Sequence, residues 1–137
     1  MSEYLFHVDD RSQADDGAEI DIQVRLQVRI KKIAPAVRLV AVPNGMKTSA
    51  WGAMQARREG MSGGFPDLIA IASPKLVAFL EIKARSGVLS DTQIGWLNHL
   101  HLAGFLCGCF RSVDTAVAAL RDWSFPFADD AFRQAAA

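Results

Sequence analysis

Hydrophobic and polar residues follow two different periods along this chain, and the periods separate predicted helices from predicted strands. Apolar residues three and four positions apart predict helices, and short apolar runs between turn residues predict strands. The predicted order is helix 18–34, strand 37–42, helix 48–59, a two-stranded hairpin within 63–83, helix 91–103, strand 105–110 and helix 113–123. This order predicts an α/β fold with a mixed β-sheet flanked by α-helices on both faces.

The first predicted helix has an unusually wide apolar surface. Leu26, Ile30 and Ile33 form one stripe, and a neighbouring face carries Ile20, Val24 and Val28. Such a width is typical of a helix packed against a sheet. Pro35 ends the pattern.

Length and composition favour one compact domain. The chain has 137 residues, of which 50% are hydrophobic, enough for a single core. We divide it into a flexible acidic leader (1–17), one domain (18–127) and a C-terminal tail (128–137). Neither a signal-peptide pattern nor a membrane-spanning run is recognisable, so a cytoplasmic location is expected.

The stretch from Gly63 to Lys83 contains the most informative chemistry. A turn at Ser73-Pro74-Lys75 folds two strands back on each other. Asp67 opens the first strand, and Glu81 and Lys83 lie near the end of the second, on one face because strand side chains alternate. The hairpin register therefore brings two carboxylates and one ammonium group together at one edge of the sheet.

Two neighbouring carboxylates either share a proton or hold a cation between them. Mg²⁺ binds through one or two carboxylates and keeps several waters, so Asp67 and Glu81 are candidate ligands, with the backbone carbonyl of Ile82 as a further one. Mn²⁺ is the expected substitute. Lys83 is placed to orient or deprotonate a water. The alternative is an ordinary hairpin with an exposed Glu81–Lys83 pair, but the apolar strand before them indicates burial, where charges need partners.

The same residues carry a resemblance. Pro66-Asp67 followed by Glu81-Ile82-Lys83 resembles the PD-(D/E)XK nuclease superfamily, and the surrounding motifs resemble its VRR-NUC branch. The resemblance covers roughly residues 19 to 123. Its further motifs, in order, are Glu19 with Gln23, VPNG at 42–45, REGMSGGFPDL at 58–68, EIKARSGVLSDTQ at 81–93 and the alanine-rich segment 113–123.

The resemblance implies a restriction-endonuclease-like core and a Mg²⁺-dependent deoxyribonuclease. It also implies that a glutamate of the first helix joins the metal site, for which Glu19 is the candidate. Asp21 is an alternative, and so is a plain helix-dipole role for Glu19. Gln93 is implied to lie near the catalytic lysine and the water. Ser90 and Gln93 also match a helix capping box, which is a purely structural reason for the glutamine.

Several residues are candidates for contacts with the DNA backbone. The resemblance suggests Asn44, although a turn signal also explains an asparagine there. Lys47, Arg57 and Arg58 precede the glycine-rich loop and Arg85 follows the second strand of the hairpin, so each is a candidate phosphate contact. Solvated surface charges are the alternative for these basic residues.

The standalone VRR-NUC proteins that this chain resembles are small and often phage-linked. They often cut branched or four-way (Holliday) junction DNA as homodimers. A junction with two equivalent strands needs two active sites, which fits a twofold dimer. Trp51, Phe125 and Phe127 are the apolar residues expected at such an interface. No membrane partner is expected.

The charge distribution agrees with a DNA-binding body. The formal net charge is zero, but residues 1–22 carry seven acidic residues and one basic residue, whereas residues 23–137 carry fourteen basic and eight acidic residues. A basic body attracts phosphates. The acidic leader is expected to be a solvated arm, with coverage of the site as the alternative.

Two other function classes remain as alternatives. A non-catalytic nuclease-fold module for DNA or protein binding would typically lack a metal ligand or the lysine, and this chain retains Asp67, Glu81 and Lys83. A nucleotide-binding metabolic enzyme needs a glycine-rich loop before a helix, but here the glycines precede a strand. Cys107 and Cys109 lack a second pair at zinc spacing and are expected to be small core residues.

Overall fold

The computed structural model describes residues 3–43, 54 and 63–129. The predicted helix 48–59 therefore lies, except for Met54, outside the described residues, as does most of the tail. The described strands are β1 (His7–Val8), β2 (Arg38–Ala41), β3 (Leu68–Ala72), β4 (Leu76–Ile82) and β5 (Leu106–Phe110). The described helices are α1 (Glu19–Ile33), α2 (Asp91–Leu102) and α3 (Val113–Asp122), with a 3₁₀ turn at Arg11–Gln13.

The five strands form one mixed sheet in the order β1-β5-β4-β3-β2. β1 and β4 run parallel to β5, whereas β3 runs antiparallel to both β4 and β2. The antiparallel β3–β4 pair comes from the predicted hairpin, because its short turn can only reverse the chain. The parallel part needs the crossover helix α2 between β4 and β5. The predicted mixed sheet with helices on both faces is confirmed.

Two apolar cores lie on opposite faces of the sheet. On one face, α1 and α3 pack with Leu80 and Ile82 of β4. On the other face, α2 packs over Phe79 and the two buried cysteines of β5. Burial raises the pKa of the Cys107 thiol to about 11 and that of the Cys109 thiol to about 12, so both stay protonated core residues. The sheet is thus held rigidly from both sides, and its strand ends are fixed in position.

The leader differs from the flexible arm that the sequence suggested. His7–Val8 pairs with β5 as an edge strand of the sheet, and Asp9 is only 3% exposed. The Asp9 carboxylate accepts a hydrogen bond from the backbone N–H of Arg111 at 2.8 Å, and Asp15 accepts one from Val113 N–H at 2.9 Å. The acidic residues therefore satisfy buried or helix-terminal donors, which a solvated arm would leave unpaired.

Two expectations about apolar surfaces are wrong. On α1 the predicted stripe is right for Leu26 and Ile30, which are buried together with Ile22. The neighbouring face is not part of the core, because Ile20, Val24 and Val28 are 61%, 54% and 49% exposed. Phe125 and Phe127 are buried in the core that contains α1 and α3, so they cannot supply a dimer interface. Trp51 lies outside the described residues. None of the helices in the described part of the chain is long and apolar enough to cross a membrane.

Candidate active site

The hairpin register brings Asp67 and Glu81 to one end of the sheet. Leu68 pairs with Leu80, so the preceding Asp67 lies opposite Glu81. The Asp67 carboxylate accepts a hydrogen bond from the backbone N–H of Ile82 at 2.9 Å. This bond orients the aspartate towards β4, as the sequence predicted from the alternation of the strands.

Glu81 is 1% exposed and has an uneven set of partners. Its Oε1 accepts a hydrogen bond from Nε2 of Gln93 at 3.1 Å. Its Oε2 is buried and has no hydrogen-bond partner among the residues that the structure describes. A buried carboxylate oxygen without a partner is costly, so this atom requires a proton or a cation.

Gln93 forms the predicted capping box and also contacts Glu81. Its Oε1 accepts a hydrogen bond from the backbone N–H of Ser90 at 2.9 Å, which completes the capping box at the start of α2. Its Nε2 simultaneously holds Glu81. The helix cap thus fixes the glutamine, and the glutamine fixes the carboxylate.

Lys83 lies between two glutamates. Its Nζ is 3.7 Å from Oε1 of Glu19 and 3.9 Å from Oε1 of Glu81, and its side chain is 10% exposed. Glu19 comes from the first turn of α1, as expected. Asp21 instead bonds the backbone N–H of Ala18 at 3.2 Å and acts as a helix cap.

The buried carboxylates hold a proton at neutral pH. Burial, followed by the negative charge of Asp67, raises the pKa of Glu81 from 4.5 to about 9. Burial also raises the pKa of Asp67, although the hydrogen bond from Ile82 N–H opposes the shift. A divalent cation would supply the positive charge that the proton now provides, because a nearby opposite charge favours the ionised form.

Two glycines lie close to the residues of this site. Gly64 has φ +85°, and a Cβ there would lie 2.7 Å from the carbonyl carbon of Thr92. A Cβ at Gly87 would lie 3.0 Å from Cδ of Lys83 and 3.1 Å from Oε1 of Glu19. Gly64 thus lets the loop approach the start of α2, and Gly87 leaves room for the lysine–glutamate pair.

A cleft of about 640 Å³ lies beside the carboxylates. Its polar lining includes Glu19, Gln23, Asp67, Glu81 and Gln93. The loop before β3 and the segment after β2 complete its walls. The cleft is large enough for a ligand and has its acidic groups at one place.

The cleft fits a hard cation bound largely by water. Asp67 and Glu81 supply carboxylate oxygens, one of which has no other described partner. No group of three or more His, Cys, Asp or Glu residues in the described part of the chain is arranged as a ready-made metal site. Mg²⁺ suits such an incomplete set, because it usually takes one or two carboxylates and keeps its waters.

The predicted DNA contacts are less well defined. Asn44, Lys47, Arg57 and Arg58 lie outside the described residues. Arg85 donates a hydrogen bond to the carbonyl of residue 14 at 2.9 Å and pairs with Asp16 at 3.2 Å. The structure therefore gives Arg85 a role in fastening the leader, a role that a solvated arm would not need.

Comparisons with known proteins agree with the geometry. The sequence model of the VRR-NUC domain family matches residues 9–114. A solved structure described as a VRR_NUC domain protein is similar, with 18% identity, a TM-score of 0.63, and coverage of 80% of this chain and 89% of that one. A second, described as a VRR_NUC domain, has 15% identity, a TM-score of 0.52, and coverage of 76% and 94% respectively. At these identities the two structures show a shared fold. No curated protein matches the sequence closely enough to count as a relative.

Proposed function

Because the chain belongs to the VRR-NUC domain family, we propose that it is a Mg²⁺-dependent DNA endonuclease that hydrolyses phosphodiester bonds. The family and the fold support a nuclease domain. The observation that carries the proposal is the convergence of Asp67, Glu81 and Lys83 at the end of one hairpin, where the two carboxylates line an open cleft. A binding module would have no need for an ionisable pair buried beside a lysine.

The carboxylates are the proposed ligands. Asp67 and Glu81 would hold Mg²⁺ together with the backbone carbonyl of Ile82, and Glu19 would complete the acidic set. A bound Mg²⁺ supplies electrostatic stabilisation of the charge that builds on the phosphate and on the leaving oxygen. Mn²⁺ has similar ligand preferences and is the expected substitute.

The remaining side chains position the water and the ligands. Lys83 Nζ lies within 4 Å of both glutamates, so it can orient the attacking water or exchange a proton with it. Gln93 holds Glu81 in a fixed orientation through the hydrogen bond at 3.1 Å. Glu19 pairs with the ammonium group at 3.7 Å and so restricts its position.

We further propose branched or four-way junction DNA as the preferred substrate and a homodimer as the working form. The two equivalent strands of a junction and the twofold symmetry of a dimer support this pairing. The buried positions of Phe125 and Phe127 mean that another surface must form the interface. Phosphate contacts from Asn44, Lys47, Arg57, Arg58 and Arg85 remain part of the proposal.

A cleavage assay tests the proposal. The purified protein is incubated with labelled linear duplex, single-stranded, flap, splayed-arm and four-way junction DNA in Mg²⁺, Mn²⁺ or EDTA. Asp67→Asn is compared with Asp21→Asn, which alters a helix-capping aspartate on the same side of the molecule. We expect metal-dependent cutting by the wild type and by Asp21→Asn, and none by Asp67→Asn. Binding without cutting on every substrate would instead indicate a non-catalytic module.

A further inference from the structure

A second hollow lies beside the candidate active site. It has a volume of about 380 Å³ and lies at the N-terminal half of α2. We call it the Trp96 hollow, and its lining residues are Gly63, Thr92, Gly95, Trp96 and His99. The four α2 residues follow the i, i+3, i+4, i+7 spacing of a single helix face. These positions therefore form one continuous surface on α2.

The Trp96 hollow adjoins the cleft directly. Gly63 lines the hollow, and the next residue, Gly64, lines the cleft. Thr92 lines the hollow, and the next residue, Gln93, lies in the cleft and holds Glu81. The hollow and the cleft are therefore immediate neighbours, and a DNA strand that leaves the cleft on this side passes the hollow.

Two of the five described lining residues, Trp96 and His99, carry aromatic rings, and none of the five is a carboxylate, lysine or arginine. The Trp96 ring contacts the Phe65 ring at 5.0 Å between centroids and the His99 ring at 6.0 Å. Phe65 thus supports the tryptophan from the cleft side. A Cβ added at Gly63 or Gly95 would meet no atom of the described residues within 4 Å. Aromatic rings of this kind suit a planar aromatic ligand.

We propose that the Trp96 hollow receives an unpaired nucleobase of the DNA strand whose phosphate lies in the carboxylate cleft. This inference rests on the proposed nuclease function and specifies its substrate as DNA with an unpaired nucleotide next to the cut. A base in intact duplex is stacked and paired, and taking it out costs free energy that an unpaired base does not require. Stacking on an aromatic side chain returns about 1–3 kcal/mol per base, which corresponds to a preference of about 5- to 150-fold.

An abasic scan in EDTA tests the inference without any cutting. Fluorescence anisotropy gives the affinity of splayed-arm DNA that lacks one base at successive positions of an unpaired arm, counted from the branch, so that every molecule has the same reference point. We expect the wild type to lose about tenfold or more in affinity at one position of the scan. Gly95→Leu fills the hollow at an exposed helix position, so it should bind the intact strand about tenfold more weakly and show no further loss at that position. His101→Leu adds the same side chain outside the hollow and should keep the wild-type pattern.

The outcomes separate this inference from the nuclease proposal. A uniform scan for the wild type, or wild-type binding by Gly95→Leu, would overturn the base-binding role even if the protein cuts DNA. A single sensitive position that disappears in Gly95→Leu would support it even if the same oligonucleotides are not cut in Mg²⁺. Circular dichroism of Gly95→Leu checks that the helix is intact, and Trp96→Phe should retain the sensitive position because it keeps an aromatic ring.

Discussion

Replacing Glu81 with glutamine should make the metal-free protein less sensitive to pH. The glutamine keeps the shape of the side chain and an oxygen for the hydrogen bond from Gln93. Its amide is uncharged, as the protonated carboxyl is at neutral pH. The variant therefore removes one titrating proton while it leaves the packing largely unchanged.

The size and sign of the effect follow from the pKa values. The pKa of Glu81 is about 9 in the folded protein, whereas a glutamate in an unfolded chain has a pKa of about 4.3. Between these values the folded state keeps a proton that the unfolded state has released, so the free energy of unfolding falls as pH rises. One proton corresponds to about 1.4 kcal/mol per pH unit. From pH 6 to pH 8 the wild type should lose about 3 kcal/mol relative to Glu81→Gln.

Urea denaturation in EDTA at pH 6, 7 and 8, followed by circular dichroism, measures this difference. In a second series, Mn²⁺ replaces EDTA. The metal should stabilise the wild type more strongly at pH 8 than at pH 6, because it competes with the proton for Glu81. The variant should show a much weaker response to the metal. Parallel pH dependences for the two proteins would refute the assignment of a buried, protonated Glu81.

Two further variants test how the structure holds the site. Gly64→Ala should lower the free energy of unfolding by about 1–3 kcal/mol, because an alanine is strained at a φ of +85° and its Cβ would lie 2.7 Å from the Thr92 backbone. Thermal denaturation of Gly64→Ala and of the control Gly63→Ala checks this prediction. Equal stabilities of the two variants would contradict it. Asp9→Ala should cost about 1–3 kcal/mol, because the buried N–H of Arg111 loses its acceptor. A wild-type urea midpoint for Asp9→Ala would show that the leader contributes nothing to the fold.

The core of the site was predictable from sequence because it is built by a local element. A hairpin with a tight turn fixes its own register, and this register places Asp67 opposite Glu81. The capping box likewise placed Gln93 at the start of a helix. Both predictions depend on residues that are close together in the chain.

The leader was not predictable in this way. Its strand has two residues, too few for a periodic pattern, and pairs with residues 108–109, about a hundred positions later. The width of the buried face of α1 was overestimated for a related reason. The helix carries two apolar stripes, and helical periodicity alone cannot say which of them meets the sheet. One stripe consists of Ile22, Leu26 and Ile30, and the other of Ile20, Val24 and Val28. Tertiary packing decides both cases.

The most direct test of the account is the cleavage rate of Lys83→Met under single-turnover conditions. Methionine keeps the apolar length of this largely buried side chain and removes only the ammonium group. The assay uses the DNA that the wild type cuts fastest, with saturating Mg²⁺ and a check of folding by circular dichroism. The account predicts a loss of about 10²- to 10⁴-fold, the usual contribution of a group that moves a proton. A folded Lys83→Met protein that cuts at the wild-type rate would contradict the proposed site.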